Sequence, residues 1–349
     1  MLFAWCAGYF LNLLGAPAPY LLGSLFGVWL IGSFVAPLGR IFRITRWLHR
    51  SIILGLSTLL GAMFTPAIFD NLGTWSFTVL VMTLVTLLSA IVSFLFFTRM
   101  RGYEPRLAML CSAPGGQAEI VMLSRDLVDK DYVVALCHLV RVVMVFCIVP
   151  FLLAFTQGQV AVDASNTALF ELPGVADIPY HVLLQFAGLA LGGFVLARGL
   201  KLPMPHLVGP LILSGLCHIV GWVDLPRISE FVLLAQLAIG SAIGARLCRV
   251  AWREIFGYLK DAIINAVFIV ILFISAAWLV AQFTQPTFLN LTLAYMPGGI
   301  YEVTLLALLF SFDVAFVAFH HTIRVLIIFL SLPLFWKKFG ARQTADTQE

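Results

Sequence analysis

Residues 75–97 and 262–283 each run for more than twenty positions without a charged side chain. An apolar run of that length matches the hydrocarbon core of a bilayer, which a helix of about 20 residues crosses. Eight further apolar runs cover residues 2–14, 20–35, 51–69, 132–153, 181–197, 207–223, 231–247 and 314–334. Charged residues make up only 11% of the chain. A soluble domain carries about 25%, so these runs cannot surround themselves with a water-facing surface. In lipid every backbone polar group must be satisfied internally, and a helix does so within one segment. The expectation is an all-α polytopic membrane protein. The six cysteines include no CxxC pair and suggest no disulfide framework. The net charge of +4 is too modest and too scattered for a nucleic-acid surface. No cleavable signal peptide is recognisable at the start of the chain.

One stretch occurs twice. Ser112-Ala113-Pro114-Gly115-Gly116-Gln117-Ala118-Glu119 is followed by His138, Arg141 and Pro150. Tyr295-Met296-Pro297-Gly298-Gly299-Ile300-Tyr301-Glu302 is followed by His321, Arg324 and Pro333 in the same register. A second pair of matching segments, Pro17-Ala18-Pro19 and Pro203-Met204-Pro205, opens the runs at 20–35 and 207–223. The chain is therefore read as a duplication: a first membrane repeat over 1–156, an outer linker over 157–179, a second repeat over 180–336 and a cytoplasmic tail over 337–349.

Charge sets the expected topology, because Lys and Arg favour the cytoplasmic side of short loops. Segments 40–50, 99–106, 125–130, 198–201, 246–260 and 337–342 hold 18 of the 21 Lys and Arg residues. All of them fall on one side only if the two Pro-Gly-Gly segments, 107–127 and 293–311, do not cross fully. The reading is about ten full transmembrane helices plus two broken or re-entrant Pro-Gly-Gly elements. An odd five crossings per half inverts the second repeat against the first and leaves both termini cytoplasmic. Inverted repeats with broken elements near mid-membrane are the architecture of many secondary transporters.

The candidate site follows from the repeated residues. Proline removes a backbone donor and glycine frees the backbone, so Pro114-Gly115-Gly116 and Pro297-Gly298-Gly299 unwind a helix and expose polar groups. Such groups are tolerated at membrane depth only in a protein-lined or wet cavity. Arg141 and Arg324 sit mid-span, where a guanidinium needs a partner or an anionic ligand; either a carboxylate of this chain or a solute fits. Glu119 and Glu302 could bind H+ or Na+, or neutralise an arginine. His138 and His321 stand three residues before each arginine, hence on its helix face, and could relay protons or simply pack. With Gln117 and Tyr301 as neutral contacts, the expected substrate-binding set is Pro114, Gly115, Gly116, Gln117, Arg141, Pro297, Gly298, Gly299, Tyr301 and Arg324. The expected ion-coupling set is Glu119, His138, Glu302 and His321. No three or four ligands suggest a metal, and no nucleotide-binding or nucleophile motif is present.

These motifs resemble the duplicated AbrB-type family of membrane proteins, whose members are often mislabelled ammonia monooxygenase. That family is unrelated to the soluble DNA-binding regulator sharing its name. The resemblance covers about residues 10–335, and its most specific marks are the segments 112–116 and 296–299. It implies a multi-pass protein of the bacterial inner membrane; members have been described as transporters, and one as a regulator of gene expression. It carries over no catalytic residues and no cofactor. The leading expectation is a secondary transporter of a small anionic or zwitterionic organic solute, coupled to H+ or Na+, rather than an enzyme. The alternative is a membrane regulator or sensor that affects gene expression indirectly. The expected partners are the lipid bilayer, the solute and the coupling ion, with self-association left open.

Overall fold

A computed structural model describes residues 2–340 apart from 35–45, 65, 67, 116–119, 122–123, 125–126, 203–204 and 249–251; at 46, 49, 68–72, 252–255, 300–302 and 328–340 it describes the backbone alone. The described residues are helical, in the order α1 (Leu2–Leu13), α2 (Pro19–Phe34), α3 (Arg46–Gly61), α4 (Ile68–Leu95, continued by one π-helical turn at Phe96–Met100), α5 (Pro105–Ser112), α6 (Asp131–Glu171), α7 (Tyr180–Gly199), α8 (Pro205–Ile219), α9 (Ser229–Leu247), α10 (Trp252–Ala281), α11 (Phe288–Tyr295), α12 (Ile300–Leu309) and α13 (Val314–Gly340). Each of the ten apolar runs carries a helix. Five segments are long and apolar enough to cross a membrane: Gly73–Met100, Asp131–Glu171, Tyr180–Gly199, Ser229–Leu247 and Phe256–Ala281. Five apolar helices are shorter, with Pro19–Phe34 and Pro205–Ile219 at 16 and 15 residues. At 1.5 Å per residue these rise only about 22–24 Å.

The boundaries follow from local chemistry. Proline opens α2, α5 and α8 where the first-turn N–H groups have no intrahelical acceptor. Ala18, immediately before α2, takes a left-handed φ of 47°. Thr287 caps α11, its side-chain oxygen accepting from Asn290 N at 3.3 Å. The segment 157–179, expected as a linker, is helical as far as Glu171. Gly158, at φ 80° and ψ 175°, redirects the chain inside α6, and the helix then resumes. Val162 and Leu169 are buried. Polar side chains of this segment serve carbonyls elsewhere: Gln159 Nε2 donates to Gly15 O at 2.8 Å, Asn166 Nδ2 to Ala16 O at 3.0 Å, and Ser165 Oγ to Leu309 O at 2.7 Å.

The chain forms two compact units, and each draws on both sequence halves. The first comprises Met1–Gly73, Phe146–Arg249 and Tyr301–Ala318. In it α1 packs on α2 and α7 on α8, while α2 also packs on α9 and α8 on α3. The second helix of each half thus lies against the third helix of the other half. Small residues make these crossings close. A Cβ on Gly209 would lie 2.1 Å from Gly193 O, and one on Gly240 would lie 2.4 Å from Leu21 O. Such close approach is how helices associate where lipid removes the usual hydrophobic drive.

The second unit comprises Thr74–Val145, Val250–Ile300 and Phe319–Glu349. Part of its core is built from Phe97, Leu107, Leu110, Cys111, Val133, Val134, Cys137 and Val140 with Ala262 and Ala266 of α10. On α4, Phe77, Leu80, Leu84, Leu87 and Ile91 stay exposed, an apolar face suited to lipid. Both Pro-Gly-Gly motifs, as far as Ile300, and both His/Arg pairs fall in this unit.

Candidate functional site

The last four carbonyls of any α-helix lack an intrahelical donor. Proline at 114 and 297, followed by glycine, removes the usual continuation, so α5 and α11 end inside apolar protein with those carbonyls to satisfy. Helix α5 stops at Ser112, and Ala113 is extended at ψ 128°. Helix α11 stops at Tyr295, and Met296 is likewise extended at ψ 136°. The chain turns tightly, Gly298 N donating to Met296 O at 3.0 Å, before α12 starts at Ile300.

The missing donors come from the His/Arg pairs on α6 and α13. Arg141 donates from NH1 to Ala113 O at 2.7 Å and from NH2 to Cys111 O at 3.0 Å, while His138 Nε2 donates to Leu110 O at 3.1 Å. Arg324 donates from NH1 to Met296 O at 2.7 Å and from NH2 to Ala294 O at 3.0 Å and Tyr295 O at 2.8 Å, while His321 Nε2 donates to Leu293 O at 3.0 Å. The two sets recur at one offset of 183 residues: 110 with 293, 111 with 294, 113 with 296, 138 with 321 and 141 with 324. A guanidinium at a helix C-terminus also meets the negative end of the helix dipole. Arg324 lies over the ring of Phe273, 5.7 Å from its centroid, adding a cation–π contact.

Arg141 and Arg324 are 3% and 2% exposed, yet each keeps an Nε–H without a hydrogen-bond partner among the described residues. Each fork is engaged on carbonyls, and each inner N–H is spare. This is a third use of the arginines, beside the carboxylate and solute expected from sequence. A mid-span charge points to an opposite charge, whereas here the need comes from the carbonyls of the broken helix. The signal was present: each Pro-Gly-Gly leaves carbonyls open, and an arginine follows 27 residues after each proline, at 141 and 324.

Of the other expected site residues, Pro297 is buried, while Pro114, Gly115, Gly298 and Gly299 are half-buried at the breaks. Gly116, Gln117 and Glu119 lie outside the described residues. Tyr301 and Glu302 stand in the first turn of α12, with their side chains outside the described set.

One participant, Thr78, was not foreseen. Thr78 of α4 is fully buried; its hydroxyl is 2.9 Å from His320 Nε2, and its carbonyl accepts from Tyr295 Oη at 2.9 Å. The second break is therefore tied to α4 as well as α13. A Thr78→Val variant keeps the shape and removes both the hydroxyl's bond with His320 and its donation to the Thr74 and Trp75 carbonyls at 3.1 Å, a loss of about 1–3 kcal/mol. A fall of a few degrees in the unfolding temperature of the purified protein checks this.

Comparison with known proteins places these features in context. Residues 20–340 match the family model described as "Transition state regulatory protein AbrB". The chain is also similar to "Uncharacterized protein YhjN" of Bacillus subtilis (strain 168), at 25% identity over 307 residues, covering 84% of this chain and 78% of that protein.

Proposed function

The chain belongs to the AbrB family, and from that premise we propose that it is a secondary transporter of a small anionic or zwitterionic organic solute, coupled to H+ or Na+ and working by alternating access in the bacterial inner membrane. The observation that carries this reading is the pair of buried arginines, each capping a broken helix and each with an unused Nε–H. Broken helices in related copies, with helix ends and unwound backbone facing the site, are how many secondary transporters bind ions and solutes at mid-membrane. Buried ionisable side chains in a membrane are otherwise expensive. In this proposal the two copies are inverted repeats, the basic loops and both termini face the cytoplasm, and the solute carboxylate or similar group meets Arg141 or Arg324 beside Pro114-Gly115-Gly116 or Pro297-Gly298-Gly299. Gln117 and Tyr301 add neutral contacts, and Glu119, His138, Glu302 and His321 serve the coupling ion. The regulatory description of the family supports a second reading, a membrane sensor that binds the same solute without moving it.

The test is uptake into proteoliposomes of radiolabelled organic acids and amino acids, with and without H+ and Na+ gradients. Arg141→Lys and Arg324→Lys run alongside. Lysine keeps the charge and donors for the carbonyls but lacks the fork and the Nε–H. Gradient-driven uptake is expected, reduced at least tenfold in a lysine variant that still unfolds as a cooperative species. Binding without flux would favour the sensor. Well-folded protein with neither binding nor flux across the panel would overturn both.

A further inference from the structure

Helix α4 carries no charge from Thr74 to Thr98, yet its buried face is polar. From Thr74 onward the buried positions of the helix are Trp75, Thr78, Met82, Thr86, Ser89 and Ser93, with Phe97 following in the π-helical turn. Steps of three and four residues put them on one face. Four of these six helical positions carry a hydroxyl, while Phe77, Leu80, Leu84, Leu87 and Ile91 stay exposed. Hydroxyls inside a helix ordinarily close on a carbonyl of the preceding turn. Thr78, Thr83, Ser89 and Thr98 do so, at 2.7–3.1 Å. Thr86 and Ser93 do not. These residues are 6% and 0% exposed, and neither hydroxyl has a hydrogen-bond partner among the described residues. A buried polar atom left unpaired by its own chain is uncommon and points to a guest that pairs with it.

The row runs between the two breaks. At its start, the Thr78 carbonyl accepts from Tyr295 Oη, and the Tyr295 carbonyl in turn accepts from Arg324. At its far end, Phe97 shares one core with Cys111 and Val140, and the Cys111 carbonyl accepts from Arg141. Along α4, Thr86 is the unpaired hydroxyl nearer the Arg324 break and Ser93 the one nearer the Arg141 break. In this unit the other buried side-chain atoms without a hydrogen-bond partner among the described residues are Arg141 Nε, Arg324 Nε and Asp261 Oδ1, and the last is ion-paired with Arg101. The duplication supplies an internal control. The offset of 183 that relates the two His/Arg sets also relates α5 to α11 end to end, 105 with 288 and 112 with 295. Carried back into the preceding helices, it pairs Thr78 with the buried Asp261, Thr86 with the buried Ile269, Ser89 with Leu272 and Ser93 with Ala276. The other copy thus packs apolar side chains where α4 places its unpaired hydroxyls, so the scaffold does not require them.

We infer that Thr86 and Ser93 are specificity-determining residues of the solute site, and that they pair with a hydroxyl or amino group of an organic acid whose carboxylate meets Arg141 or Arg324. This rests on the solute-binding reading above and narrows its substrate class to hydroxy acids and amino acids. A hydroxyl both donates and accepts, so the row takes either group. The two stand seven residues apart, about 10 Å along the helix axis, so each serves the arginine nearer to it. An acid without the extra group would leave a buried hydroxyl unpaired, which is how a polar site rejects an apolar analogue. The residues belong to neither Pro-Gly-Gly motif and make the two copies unequal in what they recognise.

Equilibrium binding to the purified full-length protein, with no gradient applied, tests this. The probes are matched acids: propionate against lactate and alanine, and succinate against malate and aspartate. At least one hydroxy or amino acid should bind about tenfold or more tighter than its unsubstituted partner. Thr86→Val or Ser93→Ala should cut that ratio by about fivefold or more, by weakening the substituted acid alone. Thr83→Val, whose hydroxyl is closed on Val79 O, should leave the ratio unchanged. A merely structural hydroxyl would weaken both members of a pair alike. Equal binding of matched acids, as trapped water on the hydroxyls would give, overturns the inference and leaves transport of a simple anion standing. A ratio unmoved in both folded variants overturns it too, and if neither variant folds, the wild-type ratio decides. If no probe binds, the inference falls together with the solute reading. Discrimination in binding without gradient-driven uptake would instead remove transport and keep the row's role.

Discussion

A Gly240→Leu variant is expected to yield no monodisperse folded protein after detergent extraction. A Cβ at this position would lie 2.1 Å from Ser24 Oγ and 2.4 Å from Leu21 O, and one turn on, a Cβ at Gly244 would lie 2.4 Å from Leu25 O. Ser24 could rotate, but the carbonyls belong to the backbone of α2 and cannot move without the helix. Ser24 Oγ shares its proton between Leu21 O at 3.0 Å and Gln236 O at 3.3 Å, and Cys248 Sγ shares its own between Gly244 O at 3.2 Å and Val28 O at 3.3 Å, so polar contacts cross on both sides of Gly240. Forcing α2 and α9 apart would lose both cross-helix contacts and the packing between them. The cost should exceed the about 1–3 kcal/mol of ordinary overpacking. Gly188→Ala is the control: nothing lies within 4 Å of its added Cβ, and helix propensity favours alanine by up to about 1 kcal/mol. Size-exclusion chromatography of both variants checks the contrast. A folded Gly240→Leu protein would show that the two helices do not meet as described.

Arg324→Ala is expected to lower the unfolding temperature by roughly 10 °C, corresponding to about 3–5 kcal/mol. The variant strands the carbonyls of Ala294, Tyr295 and Met296 in a buried setting, where each unsatisfied group costs about 1–3 kcal/mol. Relief of the buried cation offsets part of that loss. Arg324→Lys should recover much of it, since an ammonium can still serve one or two of the carbonyls. Thermal unfolding of the three proteins in one detergent separates the outcomes. An alanine variant as stable as wild type would leave the arginine without a capping role and return it wholly to ligand binding.

The helices and the breaks were legible in the sequence because both rest on local chemistry. Apolar runs near 20 residues mark helices, and Pro-Gly-Gly marks a break wherever it falls. The offset of 183 residues that relates the two sets of contacts was legible from His138 and His321, Arg141 and Arg324. The partners of these residues were not, because sequence does not say which helix end faces which span. The burial of Asp261 was hidden for a simpler reason: it sits between the basic segment 246–260 and the apolar run 262–283 and falls in neither. Helix α10 begins at Trp252 and carries it inside. Thr78 was hidden by being ordinary, a threonine in an apolar run, whose role appears only when His320 and Tyr295 are placed beside it.

The crossed pairing of α2 with α9 and of α8 with α3 bears on how the protein is made. Ser24 and Gln236 are 212 residues apart in the chain, and Thr58 and Ser214 are 156 apart. At ribosomal rates of about 5–20 residues per second, α2 waits roughly 10–40 s for its partner to be synthesised. During that interval its glycine- and serine-lined face can meet only lipid, other helices of the first half, or a holding factor. Neither half of the gene should therefore yield a stable product by itself, whereas the two halves, translated together as separate chains, retain every face needed to assemble.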